Sequence, residues 1–390
     1  MKELKFYLLG ELGEITSSKR IFQSEYVDDG IPFYRTKEIK ELANKEPISN
    51  ELFISRERYE EIKVKFGVPE VGDILITAIG TVGEIYIVEN EKEFYFKDGN
   101  ILWLKGFKDV DPFFLRYLLS SLINELQNLS SGSAYKALPI TKLKEYKIPL
   151  PPLEEQRRIA AILDKADGVR RKRKEAIRLT EELLRSTFLE MFGDPVTNPK
   201  GWEKIKLGNL CTIVRGGSPR PINDYLGGSI PWIKIGDATE GDDIYIHKTA
   251  EAIKPDGVKK SRYLEPGSLI FANCGVSLGF ARILKIAGCI HDGWLAFSDL
   301  DKSINQIFLL KLLNSITEHF RAIAPAGTQP NLNTTIMKNF EIPIPPIDLQ
   351  EKFAVVSHYL TDIIQKNSEM FKESENLFNS LLQKAFRGEL

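Results

Sequence analysis

The sequence predicts an α+β (mixed α/β) protein: two internally repeated modules separated by two long helices, which pair as an antiparallel coiled coil with pseudo-two-fold symmetry. Three observations carry that expectation. The first is a motif written twice. Ile148-Pro149-Leu150-Pro151-Pro152-Leu153-Glu154-Glu155-Gln156-Arg157-Arg158-Ile159-Ala160 returns as Ile342-Pro343-Ile344-Pro345-Pro346-Ile347-Asp348-Leu349-Gln350-Glu351-Lys352-Phe353-Ala354, identical at six of thirteen positions and offset by 194 in a chain of 390 residues. Other landmarks keep nearly that offset. Ile31-Pro32-Phe33-Tyr34-Arg35-Thr36-Lys37 answers to Ile230-Pro231-Trp232-Ile233-Lys234-Ile235-Gly236, and Gly72-Asp73-Ile74-Leu75 to Gly267-Ser268-Leu269-Ile270. The period is far beyond the roughly 20–50 residues of a solenoid unit, so a whole domain is duplicated. The third observation is heptad spacing near the C-terminal end.

In chain order, residues 1–150 read as the first mixed module. The β-branched runs 74–79 and 84–88, separated by Gly80 and Gly83, predict paired strands around a turn. Phe114, Leu115, Leu118, Leu122 and Leu126 recur at helical spacing between Asp111 and Asn128. Residues 151–192 predict the first long helix, from Leu153 to Phe192. Pro149, Pro151 and Pro152 stand just ahead of it, where a missing amide proton costs nothing, and Gly193-Asp194-Pro195 ends it. Residues 193–206 read as a linker. Residues 207–345 repeat the module, with a helix expected from Ile304 to Arg321, and residues 346–390 form the second long helix.

That second helix carries a seam of alternating four- and three-residue steps: Leu349, Phe353, Val356, Leu360, Ile363, Asn367, Met370, Ser374, Leu377 and Leu381. Asn367 and Ser374 are polar seam positions of the kind that fix register. The first helix offers Ile159, Ile162, Ala166, Val169, Ala176 and Leu183 at comparable positions, interrupted by Arg173. Helices of about 36 residues span roughly 54 Å at 1.5 Å per residue. Modules reading successive half-sites on one face of B-DNA sit roughly 34 Å apart. A rigid helical pair is therefore long enough to act as a ruler. The offset grows from 194 at the helix starts to 198 at their ends, which predicts one extra turn in the second helix.

Composition is ordinary for a globular protein, with 43% hydrophobic and 27% charged residues. A formal net charge of -1 argues against a surface that clamps nucleic acid everywhere, while leaving room for local basic grooves. Cys211, Cys274 and Cys289 are odd in number and contain no CxxC, which predicts neither a disulfide framework nor a zinc site and favours a reducing cytoplasm. Glu11 and Glu14 come too early for a signal peptide, and no stretch approaches the roughly 20 apolar residues of a membrane helix. The expectation is a soluble, cytoplasmic protein with no membrane partner.

Catalytic signatures are missing. Gly-Lys never occurs, which excludes a P-loop, and no Asn-Pro-Pro-Tyr or HExxH is present. His291-Asp292 is a possible catalytic pair, but it lacks a nucleophile or ligand partner in the sequence. The turn Arg215-Gly216-Gly217-Ser218-Pro219-Arg220 suits either a phosphate cradle or a surface loop. The run Arg170-Arg171-Lys172-Arg173-Lys174 reads better as a solvated or acid-paired helix face than as a DNA contact. These features describe a binding protein with no catalytic centre and no metal of its own.

Several further runs carry a resemblance over essentially the whole chain. They are Met191-Phe192-Gly193-Asp194-Pro195 with Asn198-Pro199-Lys200-Gly201-Trp202, the closing Ala385-Phe386-Arg387-Gly388-Glu389-Leu390, and Gly327-Thr328-Gln329-Pro330-Asn331-Leu332 with its weaker echo Gly132-Ser133-Ala134-Tyr135-Lys136. Together with the repeated Ile-Pro-Leu/Ile-Pro-Pro helix starts, they make the chain similar to the specificity (S) subunit of type I restriction-modification systems. The resemblance implies two target-recognition domains and a non-catalytic subunit that reads double-stranded DNA. It also implies docking to two methyltransferase subunits, which make N6-methyladenine, and to up to two restriction/motor subunits. S-adenosylmethionine, ATP and Mg would then be bound by those partners and no cofactor by this chain. Joining Leu390 to Met1 would nearly close a ring, so the two ends are expected near each other.

Under that resemblance the loops specify an asymmetric bipartite target, one half per module, with an unread gap set by the helices. Arg35, Lys37, Arg215, Arg220, Asn273, Gln329 and Asn331 are donors suited to base edges. Thr36, Ser133, Lys136, Ser218, Lys234 and Ser277 suit phosphate or mixed contacts, and Thr77 and Thr81 belong to the first module's reading loop. Two other readings remain: a non-catalytic coiled-coil adaptor that scaffolds protein partners, and the recognition half of a split methyltransferase working with one partner.

Overall fold

The computed structural model describes residues 5–79, 82–128, 138–238, 244–275, 277–324 and 331–390. It comprises two units, one of residues 1–172 with 371–390, the other of residues 173–370. In the first, Ile74–Thr77 is buried at every position and centres an antiparallel sheet ordered Glu14–Thr16, Ile101–Lys105, Ile74–Thr77, Ile85–Ile87. A strand covered on both faces reads as a continuous apolar run rather than an alternation. A smaller sheet is ordered Tyr26–Val27, Phe53–Ile54, Ile31–Tyr34, Tyr95–Phe96, and its last pair is parallel. Phe6–Leu8 pairs with Lys147–Pro149 beside the start of the first long helix.

The second unit repeats this order and sense. Thr212–Arg215, Trp294–Ser298, Leu269–Ala272 and Ala281–Leu284 form the antiparallel sheet, to which Tyr245–Ile246 adds a parallel edge. The smaller sheet runs Glu251–Ile253, Leu226–Ile233, Gly288–Ile290, Arg262–Leu264; the parallel pair recurs, here with Arg262–Leu264 added beyond it as an antiparallel edge. Lys204–Lys206 pairs with Glu341–Pro343, as Phe6–Leu8 does with Lys147–Pro149. The segment 193–206 is held by its own polar groups. Asn198 donates to the Trp202 carbonyl and accepts its amide, and the Trp202 indole donates to the Phe192 carbonyl at 2.9 Å.

The first module's helix is Pro112–Asn128, as the spacing predicts. The expected helix over 304–321 is instead two, Gln306–Ser315 and Thr317–Ile323, broken at Ile316. The cause is tertiary. Asn314 accepts the Ala281 amide at 2.6 Å and Thr317 donates to the Gly279 carbonyl at 2.7 Å, so strand-edge groups claim the residues either side of the break.

The repeated motif folds into the same joint twice. Gln156 accepts the Asp111 amide at 2.8 Å and donates to the carbonyls of Asp109 and Pro151 at 2.9 and 2.8 Å. Gln350 accepts the Asn305 amide at 2.9 Å and donates to the carbonyls of Ser303 and Pro345 at 2.9 and 2.7 Å. Both glutamines are buried, so each bond satisfies groups that water cannot reach. Asp111 and Asn305, whose amides they hold, in turn cap the following helix with their side-chain oxygens. Each glutamine thus fastens a long helix to the start of its module's packing helix.

The long helices run Leu153–Phe192 and Ile347–Arg387. Within the first unit, Arg158 donates to the Leu390 carbonyl at 2.7 Å, and Arg170 lies over the Phe378 ring. Within the second, Phe188 and Phe192 meet Phe353 edge-on at 5.4 and 5.3 Å. In the first unit, rising numbers on one helix meet falling numbers on the other, so the pairing there is antiparallel.

The packed stripe differs from the predicted seam in phase. Ile159, Phe353 and Leu360 are buried, and Ile162, Ala166, Ile363, Asn367, Ser374 and Leu381 are half-buried. Val169, Leu183, Val356, Met370 and Leu377 are instead exposed, and the inward positions are their neighbours Leu184, Ser357, Phe371 and Phe378. The physical reason is that the inward column holds a polar Ser357 while the outward one holds Val356, so apolarity alone points to the wrong side. In the first helix the inward place near Val169 belongs to Asp167. It is buried and paired to Arg170 at 2.7 Å and Arg171 at 2.9 Å. That also explains the basic run, whose first two arginines neutralise an acid of their own helix.

Candidate functional site

In each module the loops at the carboxyl ends of the short parallel pair meet the end of the first sheet strand, and charged side chains collect there. In the second module Arg215 ends the strand Thr212–Arg215 and donates to the Asp292 carbonyl at 2.8 Å. Ser218 donates to Asp292 Oδ1 at 2.8 Å, and Arg220 lies 3.5 Å from Oδ2. The glycines of the turn are needed for close approach. A Cβ on Gly216 would lie 2.2 Å from the His291 carbonyl oxygen, and one on Gly217 would lie 3.0 Å from that of Lys260. The Gly-rich turn and the His291-Asp292 pair, separate in sequence, are one site.

His291 is not a free base. Its Nδ1 accepts the Gly293 amide at 2.9 Å, so the ring proton sits on Nε2, 3.0 Å from Asp292 Oδ1. Burial pushes its pKa below the usual 6.5; Asp292 opposes this, and Lys234, Arg220 and Arg215 reinforce it. For Asp292, burial acts to raise the pKa, but Ser218, His291 and the two arginines outweigh it and the carboxyl stays below the usual range. At His291 the unfolded chain takes up a proton below about 6.5 that the folded state resists, so this contribution is complete above that pH and is lost as pH falls. Thermal melts should therefore drop between about pH 7.5 and pH 5.5. His291→Gln should flatten that part of the dependence, and an unchanged profile would remove His291 as its source.

The first module builds the same corner with other residues. Ser17 occupies the place of Arg215; it donates to the Ile101 carbonyl and accepts the Gly99 amide at 3.0 Å, holding the Asp98-Gly99 turn. Arg20 pairs with Asp98 at 2.9 Å, as Arg220 does with Asp292. Arg35 and Lys234 also correspond. The Arg35 amide is accepted by Glu38 and its guanidinium pairs with Glu38 and Glu51, while the Lys234 amide is accepted by Asp237 and its ammonium pairs with Glu251. Both cations are thus committed to carboxylates of their own module.

The other expected contacts divide. Thr36 follows Arg35 at the start of a helix, and Lys37 is half exposed, 4.0 Å from Glu51. Thr77 is wholly buried and accepts the Glu84 amide at 3.0 Å, so it shapes the strand turn and leaves the contact set. Asn273 is buried as well and donates to Asn331 at 3.2 Å. The segment around Asn331 bridges Cys274, behind the corner. Both asparagines therefore serve the interior wall, and Ser277 is half-buried in the adjoining turn. Thr81, Ser133, Lys136 and Gln329 lie outside the described residues. Sequence reasoning passed over Arg20 and Asp98, and also Lys259-Lys260-Ser261-Arg262. That run lies against the glycine turn through Ser261 to the Gly217 carbonyl and Arg262 to the Arg215 carbonyl. The signal for the acids was present: Asp98-Gly99 and Asp292-Gly293 repeat at the motif's own offset of 194.

Among the described residues no helix is long and apolar enough to cross a membrane, and no group of three or more His, Cys, Asp or Glu could hold a metal ion.

A family model described as the type I restriction modification DNA specificity domain matches residues 1–179 and 199–374. The MjaIX type I restriction enzyme specificity subunit of Methanocaldococcus jannaschii is 26% identical over 414 aligned positions, 98% of this chain and 91% of its own length. A Haemophilus influenzae protein named as a type I restriction enzyme specificity subunit is 36% identical over 158 residues, 40% of this chain and 38% of its own length. Among solved structures, the S subunit of a type I restriction-modification system from M. genitalium superposes with a TM-score of 0.60. It has 16% identity and covers 99% of this chain and 97% of its own, a likeness of fold.

Proposed function

The chain belongs to the type I restriction-modification DNA specificity family, and on that premise we propose that it reads an asymmetric two-part DNA target, one half with each module. The observation that carries this is the duplicated corner. The same strands and turns present Ser17, Arg20 and Arg35 in one module and Arg215, Arg220 and Lys234 in the other. A shared scaffold should dock on duplex DNA alike, and side chains that match at Arg20 and Arg220 but differ elsewhere should read half-sites that are alike in part and different in the rest.

The long helices, 40 and 41 residues, are each about 60 Å in length and set the unread gap between half-sites. They also carry outward apolar pairs one turn apart, Leu179 with Leu183 and Val355 with Tyr359, all at least half exposed. Such side chains suit helices of partner subunits. The proposed partners are two methyltransferase subunits and up to two restriction/motor subunits, which would bring S-adenosylmethionine, ATP and Mg.

The test is adenine-methylation mapping of DNA from cells expressing the chain with a methyltransferase partner. The expected result is one asymmetric two-part motif with a fixed gap, modified on both strands. Binding of the assembled complex should also weaken linearly on a log–log salt plot, by about 0.9 per phosphate neutralised. An active methyltransferase that adds no new motif, with binding insensitive to salt, would favour the adaptor reading instead.

A further inference from the structure

The two modules act as each other's comparison, and they agree on one outward-facing group. Of the second module's corner cations, Arg215 is spent on the Asp292 carbonyl and Lys234 on Glu251. Of the first module's, Arg35 is spent on Glu38 and Glu51. Arg20 and Arg220 are the outward cations that the two corners hold at matching places. Their side chains are 69% and 82% exposed, while the partner carboxylates Asp98 and Asp292 are only 19% and 29% exposed. In both pairs the acid therefore stands behind and the guanidinium in front.

The acids are themselves held. Asp292 Oδ1 accepts from Ser218 and lies against His291 Nε2, which leaves Oδ2 to face Arg220. The Asp98-Gly99 turn is pinned by Ser17, and Asp98 Oδ2 accepts Arg20 Nε. A fixed carboxylate at the rear removes much of the rotamer freedom that a long arginine would otherwise lose on contact. Arg20, bonded through Nε, keeps both terminal nitrogens forward. Arg220 is approached at Nη2, 3.5 Å from Asp292 Oδ2; Nη2 carries one hydrogen on each of two edges of the guanidinium, so one edge still offers a parallel pair of donors. Two parallel N–H donors match the O6 and N7 acceptors of guanine in the major groove.

We propose that Arg20 and Arg220, each steadied by its aspartate, read one guanine in each half of the target, at equivalent positions. This rests on the two-part DNA reading and adds the base and the residue that recognises it. A phosphate contact is the competing role, and lysine separates the two. Lysine keeps the point charge that a phosphate needs but lacks the planar fork that guanine needs.

The experiment is selection from randomised duplexes with the full chain assembled with its methyltransferase partner, as wild type and as Arg20→Lys, Arg220→Lys, Asp98→Asn and Asp292→Asn. The wild type should select a motif with a guanine in each half; a motif lacking guanine in either half overturns the proposal. If no motif is selected at all, the parent reading fails first and this one with it. Arg220→Lys should lose preference for one guanine by about 5- to 150-fold and leave the other half intact. Arg20→Lys should do the reverse. Each aspartate variant should weaken the same guanine as its arginine, by less. Lysine variants that keep the wild-type motif would assign these arginines to phosphates. Loss of both halves at once would make them structural. Either outcome overturns the proposal.

Discussion

Exchanging residues 207–345 for the matching segment of another family member is expected to rewrite one half of the methylated motif. The other half should be unchanged. The segment removed carries the whole corner, with Arg215, Arg220 and the Asp292 turn, and the incoming one brings its own. Its attachments to what stays behind combine main-chain bonds with the Phe308 ring packed on Phe188 and Phe192, which a family member's segment must match. Lys204–Lys206 pairs with Glu341–Pro343 through the backbone, and Gln350 meets only an amide and carbonyls. The long helices, proposed to set the gap, are untouched, so the spacing should hold. Methylation mapping of the hybrid reads all three quantities at once. A change in both halves, or in the gap, would refute modular reading.

The second large effect is on stability. Phe353→Ala should cost about 3–5 kcal/mol, because it deletes a wholly buried ring that Phe188 and Phe192 both meet edge-on. Val356→Ala, three residues on but facing outward, should stay within about 0.5 kcal/mol. Urea unfolding of the two variants side by side measures the difference. Equal losses would return Val356 to the packed stripe.

That comparison also marks how far the sequence could be read. The long helices were legible because prolines precede them, glycine follows the first, and apolar residues recur at heptad steps. Their rotation was not, since Ser357 points inward and Val356 outward, and a choice made on hydrophobicity favours the wrong one. The break at Ile316 has no local signal; it comes from Asn314 and Thr317 bonding to a strand edge far away in the chain. Thr77 and Asn273 looked like reading residues because they are polar at the ends of apolar runs. In the fold they answer internal needs, an amide of Glu84 and a side chain of Asn331. Arg215, Ser218 and Arg220 were legible as a basic turn, but their company was not. Only the fold brings His291 and Asp292 to them, and only the repeat then shows that Arg20 and Asp98 form the same arrangement.

The buried glutamine at each helix start bears on how such a chain can evolve. Gln156 and Gln350 recognise peptide groups, and every residue other than proline supplies the same amide and carbonyl. A joint built this way is indifferent to the side chains beyond it. Mutation or recombination can replace the whole reading surface while the connection is inherited intact. Diversity in what is recognised then accumulates without compensating change in the long helices.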